Sequence, residues 1–342
     1  MIVQRAKWFI LLGMAMMIPL RGSAAVDFPD STLRKIIVSI INNEFNRGDS
    51  LVRELIQQYP DRPWGYFYRG AILQAQMIDR NALRDTSAFW EAMNRCIRVV
   101  EAREQAGKAT AMDLFFKGSA YYYMAFHHMK LGHWWQAYRN TRKGVHILEH
   151  AIQQDSSLWD AYLGIGAYKF WKSQKAGLLR FLLFIKNEKE KGLDMVRHAV
   201  QRGHLVPELA RDQLVYMLMD DGQAEEAWQL AQKNLQLFPH SRFFLWTYAK
   251  ASFKARKWKE AFRAYQDLWE YIHHNANQKR NLGHVLIRLA RCACELGKVA
   301  AARNYFSIFE KEVGRLAPYM GISSEEWQAL QQQSCLMGHT AR

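Results

Sequence analysis

Proline is scarce in this sequence, seven among 342 residues, and no segment alternates apolar with polar residues over the length of a strand. Without that period-two pattern a sheet has no face to bury, so the helical period is the one left to organise the chain. Long hydrophobic runs are missing as well: past residue 25 nothing approaches the roughly 20 apolar residues of a spanning helix. Several chemistries lack their residues. There is no glycine-rich phosphate loop and no H-E-x-x-H, and most of the twelve histidines read as surface or cap residues. Gly164-Ile165-Gly166 has neither the third glycine nor the ribose-binding acid of a dinucleotide site. Lys and Arg are scattered along the chain instead of gathered with stacking aromatics, so no nucleic-acid partner is expected. Neither cofactor nor metal is expected, and the chain reads as a non-enzyme.

Cysteine is rare too: Cys96, Cys292, Cys294 and Cys335. Cys292 and Cys294 stand two apart on a helical stretch and face different ways, so they should not bridge each other. A bond to Cys335 in the tail is open to one of them, with free buried thiols the expected state.

What the sequence holds begins with Arg5 and Lys7 ahead of an apolar run from Trp8 to Leu20, then Arg21-Gly22-Ser23-Ala24-Ala25. A positive start, an apolar centre and small residues follow the order of a secretory signal. Residues 1–25 are therefore expected to be removed, leaving Ala25 or Val26 first in an exported protein, periplasmic or secreted and in contact with the cell envelope. A retained anchor is the alternative, though the run is short for it. The charge is +15, from 47 basic and 32 acidic residues. Such an excess favours acidic partners or anionic surfaces.

Apolar residues recur at three and four spacing almost throughout, the mark of amphipathic helices. Asp30-Ser31 reads as a cap for a helix over 31–46 carrying Leu33, Ile36, Ile37, Ile40, Ile41 and Phe45 on one face. Gly48-Asp49-Ser50 reads as the break and new cap before a second helix, which Pro60 closes. The hairpin returns downstream. Ala227 in Asp221-Gly222-Gln223-Ala224-Glu225-Glu226-Ala227 and Ala261 in Arg256-Lys257-Trp258-Lys259-Glu260-Ala261 are 34 residues apart. Leu296-Gly297 to Ala302 and Leu131-Gly132 to Ala137 repeat the turn. Glycine supplies a permissive backbone there, and Ala137, Ala227, Ala261 and Ala302 are small where paired helices approach, opposite Ala125, Ala249 and Ala290.

These residues resemble the tetratricopeptide superfamily, most clearly over residues 118–150 and 208–314, with Pro239 ending one repeat as that family's proline does. The pattern is degenerate: Val215 replaces a small residue and the period fails between Ala137 and Ala227. Asp160 to Tyr168, with Phe170-Trp171-Lys172-Ser173, is similar to exported bacterial tetratricopeptide proteins of unassigned activity. The resemblance implies an all-α, right-handed solenoid of antiparallel helix pairs over 26–320, with an irregular insert at about 172–203 and a C-terminal helix and tail over 321–342.

The resemblance also implies a protein or peptide partner, acidic in character, held in the concave groove of the A helices. Carried over residue by residue, the groove takes Tyr122 and Phe126 from one repeat, Asp212 and Tyr216 from another, Trp246, Lys250 and Phe253 from a third, and Ile287, Arg291 and Cys294 from a fourth. Two further readings stand beside it. The apolar run Leu178 to Ile185, flanked by Lys172, Lys175, Lys186, Lys189 and Lys191, could lie in an anionic membrane surface over 178–191 or fold back on the solenoid. Gly48-Asp49-Ser50-Leu51 spells the nucleophile block of GDSL hydrolases, although Asp49 and Ser50 read better as N-caps.

Overall fold

The computed structural model describes residues 28–80, 86–176, 186–273, 279–314 and Cys335. The signal-like segment 1–25, the whole apolar run 178–185 and nearly all of the C-terminal segment 321–342 lie outside those residues. Within them the chain forms fourteen helices and no strand. They are α1 (Asp30–Ile41), α2 (Phe45–Gln58), α3 (Trp64–Asp79), α4 (Thr86–Gln105), α5 (Ala111–Lys130), α6 (Trp134–Gln154) and α7 (Trp159–Ala176). The series continues with α8 (Lys189–Arg202), α9 (Pro207–Asp220), α10 (Ala224–Leu237), α11 (Arg242–Lys254), α12 (Trp258–Ile272), α13 (Lys279–Glu295) and α14 (Val299–Glu312). Each odd helix pairs with the even one after it, giving an all-α solenoid.

The turns obey the sequence pattern. Gly132, Gly222 and Gly297 adopt φ of 77°, 84° and 68°, and the fifth residue after each is a buried alanine. Arg256 and Asn43 occupy the same left-handed position at 57° and 61°, without glycine's freedom. Asn43 relocates the first hairpin turn: α1 stops at Ile41, Phe45 starts α2, and Gly48 lies inside α2, five residues past Asn43. Gly48 is thus the small crossing residue, a Cβ there coming within 3.2 Å of Ile72 Cδ1. Asp49 and Ser50 are not caps. Asp49 pairs with Arg53 at 2.8 Å, and the Ser50 hydroxyl donates to the Asn46 carbonyl, so the serine of the hydrolase reading sits in a helix interior. Asp30 is likewise not a cap; Pro29 precedes α1, and Asp30 Oδ1 lies 2.8 Å from His204 Nε2.

Where the 34-residue period fails, α5, α6 and α7 are longer, at 20, 21 and 18 residues, and the pairs cross on glycine. A Cβ on Gly144 would meet the Gly118 carbonyl at 2.9 Å, and one on Gly192 would meet the Gly166 carbonyl at 2.6 Å. Backbone therefore touches backbone in the α5–α6 and α7–α8 pairs. Residues 172–176 complete α7 and Lys189–Arg202 forms α8, so most of the expected irregular insert belongs to a regular pair.

Successive odd helices touch one another from α1 through α11, which puts them on the inside of the curve. The curvature brings α1 back against α11. Leu33 and Ile36 of α1 share one apolar cluster with Phe238 and Phe244 from the far side of the array. Arg34 donates to both carboxylate oxygens of Glu208 at 2.8 and 2.6 Å, and Arg242 to both of Asp79 at 2.8 and 2.7 Å. Tyr271 adds a third bond to Asp79, and the Arg242 amide donates to Asn43 Oδ1. Burial alone would raise the Glu208 carboxyl, yet the Arg34 bonds hold it below the usual carboxylate range. Buried Asp160 accepts the amides of His204, Leu205 and Val206, fixing the entry to α9 beside this clasp.

Candidate functional site: the inner face of α9, α11 and α13

The clasp occupies the first turns of α9 and α11, and one turn beyond it the inner face becomes a polar and aromatic cluster. Asp212 of α9 is only 4% exposed, and its Oδ1 has no hydrogen-bond partner. Burial pushes this carboxyl up to about 7, against the opposing effects of a Thr247 hydrogen bond and the Lys250 charge. One turn on, the Tyr216 hydroxyl is 3.3 Å from Thr247 Oγ1 and accepts from Lys250 Nζ at 3.4 Å. That ammonium also stands 5.4 Å from the Tyr216 ring centre and 5.7 Å from that of Trp246. Lys250 keeps an exposed tip, but the groove walls desolvate it and lower its pKa, with Asp212 opposing the shift and Arg288 adding to it.

Arg288 is the cation that the repeat pattern passed over. It comes from α13 and lies 4.3 Å over the Phe253 ring, which is itself edged by Trp258 at 5.4 Å. Its signal in the sequence is weak, because the family register selects Ile287 next to it. Ile287 is 3% exposed and packs with Phe309. Arg291 lies 3.8 Å from Glu295 on its own helix. Cys294 is bonded to Cys335, so the expectation of free thiols fails for this pair and holds for buried Cys96 and Cys292. Burial pushes the Cys292 thiol up to about 12, which leaves it an inert thiol.

Tyr216, Trp246, Lys250 and Phe253 therefore stand together with Asp212, Thr247 and Arg288. Tyr122 and Phe126 belong to α5, on the far side of α7. The Tyr122 hydroxyl donates to the Gly164 carbonyl at 2.5 Å and its ring lies against Gly144 and Gly164, while Phe126 carries Lys130 5.3 Å over its face. Most of the described histidines are exposed, as expected, and His133 takes the N-cap position of α6. His127 is buried and stacked on Phe89 at 4.6 Å, and burial lowers its pKa.

A cleft of about 480 Å³ opens at the clasp, lined by Glu44, Arg47, Asp79, Arg80, Arg242 and Tyr271. Asp79, Arg242 and Tyr271 bind one another there and Arg47 pairs with Glu44, so most of its charged groups are already matched. Among the described residues, no group of three or more His, Cys, Asp or Glu is placed to hold a metal ion.

No protein-family model and no curated protein matches the chain. Solved structures of helical repeat proteins are similar to it. The C-terminal part of a TPR repeat-containing protein from Cytophaga hutchinsonii shares 15% identity over 87% of this chain and 99% of the other, with a TM-score of 0.43. A Rap protein complexed with competence and sporulation factor shares 12% over 88% and 79%, at 0.45. A tetratricopeptide repeat protein from Parabacteroides merdae shares 13% over 88% and 96%, at 0.34. The likeness is one of kind, helix pair after helix pair.

Proposed function

We propose that this chain is an exported, non-enzymatic scaffold that binds a protein or peptide partner on the inner face of α9, α11 and α13. The observation that supports this reading most is the Asp212–Thr247–Tyr216–Lys250 cluster, in which Asp212 and Thr247 are buried and the Lys250 ammonium stands beside the Tyr216 and Trp246 rings. Buried polar groups without a full set of partners are costly unless a ligand completes them. Lys250 offers a cation to a carboxylate, and the charge of Arg288 adds to the positive field around it. Trp246 and Phe253 offer apolar anchors of the kind that dominate binding energy. An extended segment with apolar side chains and a carboxylate meets all of these groups at once. Export rests on the order of residues in 1–25.

Photo-crosslinking from position 250 in the native cell envelope, followed by mass spectrometry, should recover the partner. With that partner in hand, Lys250→Gln should weaken binding on the order of tenfold, the cost of one charge-assisted hydrogen bond. The melting temperature should stay where it is. Unchanged affinity would move the partner off this face, with the lysine-flanked run 178–191 the next region to test.

A further inference from the structure

The turn between α5 and α6 carries a second surface that the inner groove does not use. Trp134 and Trp135 open α6 and are 69% and 66% exposed. Tyr138 is also exposed, its ring nearly parallel to that of Trp135 at 5.8 Å. Met129 and Leu131 are exposed on the other side of the turn. At its apex Gly132 has open space on its Cβ side. Rings of this size are normally buried, and a contiguous exposed group of them marks a contact surface.

Along the chain the charge at the tip is of one sign, and the nearest acids on the cleft shared with Tyr138 and Arg142 are Glu149 and Glu188 behind it. From Leu114 to Leu148 the sequence contains no aspartate and no glutamate. Lys117 in this stretch is buried and bonded to Glu104 at 2.6 Å, while Lys130, Arg139, Arg142 and Lys143 are exposed on the tip and the first turns behind it. An apolar point inside a fringe of cations complements an anionic lipid surface, where phosphates meet the cations and indole and phenol rings settle at headgroup depth. A folded protein partner fits less well. Consecutive helix positions diverge by about 100°, so two neighbouring indoles cannot enter one flat epitope, whereas a soft interface accepts both from a convex tip. Among the described residues no helix is long and apolar enough to cross a membrane, so the contact is peripheral.

We propose that the α5–α6 tip docks on anionic lipid bilayers through Trp134, Trp135 and Tyr138, with Arg139, Arg142 and Lys143 on the headgroups. Tyr138 and Arg142 line a cleft with Tyr168, Lys172 and Glu188. The lysine-flanked apolar run 178–185, which the sequence also offers to a membrane surface, supplies a control.

The test is co-sedimentation of the full chain with vesicles of phosphatidylcholine alone or mixed with phosphatidylglycerol. Binding is expected to the mixed vesicles and to weaken as salt shortens the screening length. Trp134→Ala with Trp135→Ala should weaken it by about tenfold or more, from the apolar area withheld. Melting should be unchanged, because both side chains are exposed. Every variant keeps the same N-terminal segment, so the difference reports the tip. Equal binding by the double variant overturns the proposal. So does binding that survives in it but is lost with Leu182→Glu, which would assign the contact to that apolar run. Failure to bind either vesicle, with self-association that the double variant abolishes, would assign the tip to a second copy of the chain.

Discussion

The central pairs α5–α6 and α7–α8 and the later pairs α9–α10, α11–α12 and α13–α14 solve the same crossing in different ways. The later pairs meet on Ala227, Ala261 and Ala302, all without exposed surface, and keep the short helices of the 34-residue period. The central pairs meet backbone to backbone on Gly118–Gly144 and Gly166–Gly192. A second difference follows along the inner face. Tyr122 closes the space between α5 and α7 by bonding to the Gly164 carbonyl, whereas α9 and α11 enclose the under-satisfied carboxyl of Asp212. The glycine-crossed region is thus packed for rigidity, and the alanine-crossed region carries unmet polar capacity that a partner can complete.

The largest test of this contrast is Asp212→Asn. With a folded pKa of about 7 against an ordinary 3.8, the protonated carboxyl is the form the fold accepts. Its stabilising contribution is fully present below the unfolded pKa and is lost as pH rises through 7. The parent should therefore lose stability from about pH 4 to about pH 7, by a few kcal/mol. Asp212→Asn should flatten that slope and raise stability at pH 8. Denaturant titrations across this range check it, and identical slopes would mean that Asp212 is not desolvated.

Next in size is a reciprocal pair of one-carbon changes. Gly192→Ala sets a methyl 2.6 Å from the Gly166 carbonyl and 2.7 Å from the Phe170 nitrogen, both backbone atoms that cannot swing aside. It should cost about 2–3 kcal/mol despite alanine's better helix propensity. Ala261→Gly gives up that propensity and should cost about 1 kcal/mol. Thermal melts that reversed this order would show the crossings to be equivalent.

Smallest is the clasp. Arg34→Ala removes two bonds to Glu208, but the arginine side chain is 38% exposed, so solvent offsets part of the loss. A cost of about 1–2 kcal/mol is expected. It should also shift the pH profile. The Arg34 bonds hold the Glu208 carboxyl down, and the stability they contribute is present above the unfolded pKa and lost as pH falls through the folded one. The variant should therefore show less acid sensitivity than the parent, readable in melts taken between neutral and acidic pH.

Much of this was legible from residue order. The alanine spacing with Gly222 and Gly297 placed the later hairpins, Gly132 placed α5–α6, and the register put Tyr216, Trp246, Lys250 and Phe253 on one inner face. The first turn was misplaced because glycine at position 48 looks like a turn residue. The αL position fell on Asn43 instead, and only the packing against Ile72 reveals why glycine was needed in α2. Gly166 offered no sign of its partner Gly192, because a backbone contact between two helices leaves no pattern in either one.

By itself the sequence determined the helical class, the hairpin repeat and the small residues at the crossings, because these depend on spacings of three or four residues within a helix and 34 between hairpins, which a linear chain displays directly. The tertiary structure alone decided three things: the closure of α1 and α3 onto α9 and α11 through Arg34–Glu208 and Arg242–Asp79, the desolvation of Asp212 beside Lys250, and the exposure of Trp134 and Trp135. Each depends on which distant surfaces the accumulated curvature brings together or leaves uncovered, and small rotations summed over many helix pairs are recorded at no single position of the chain.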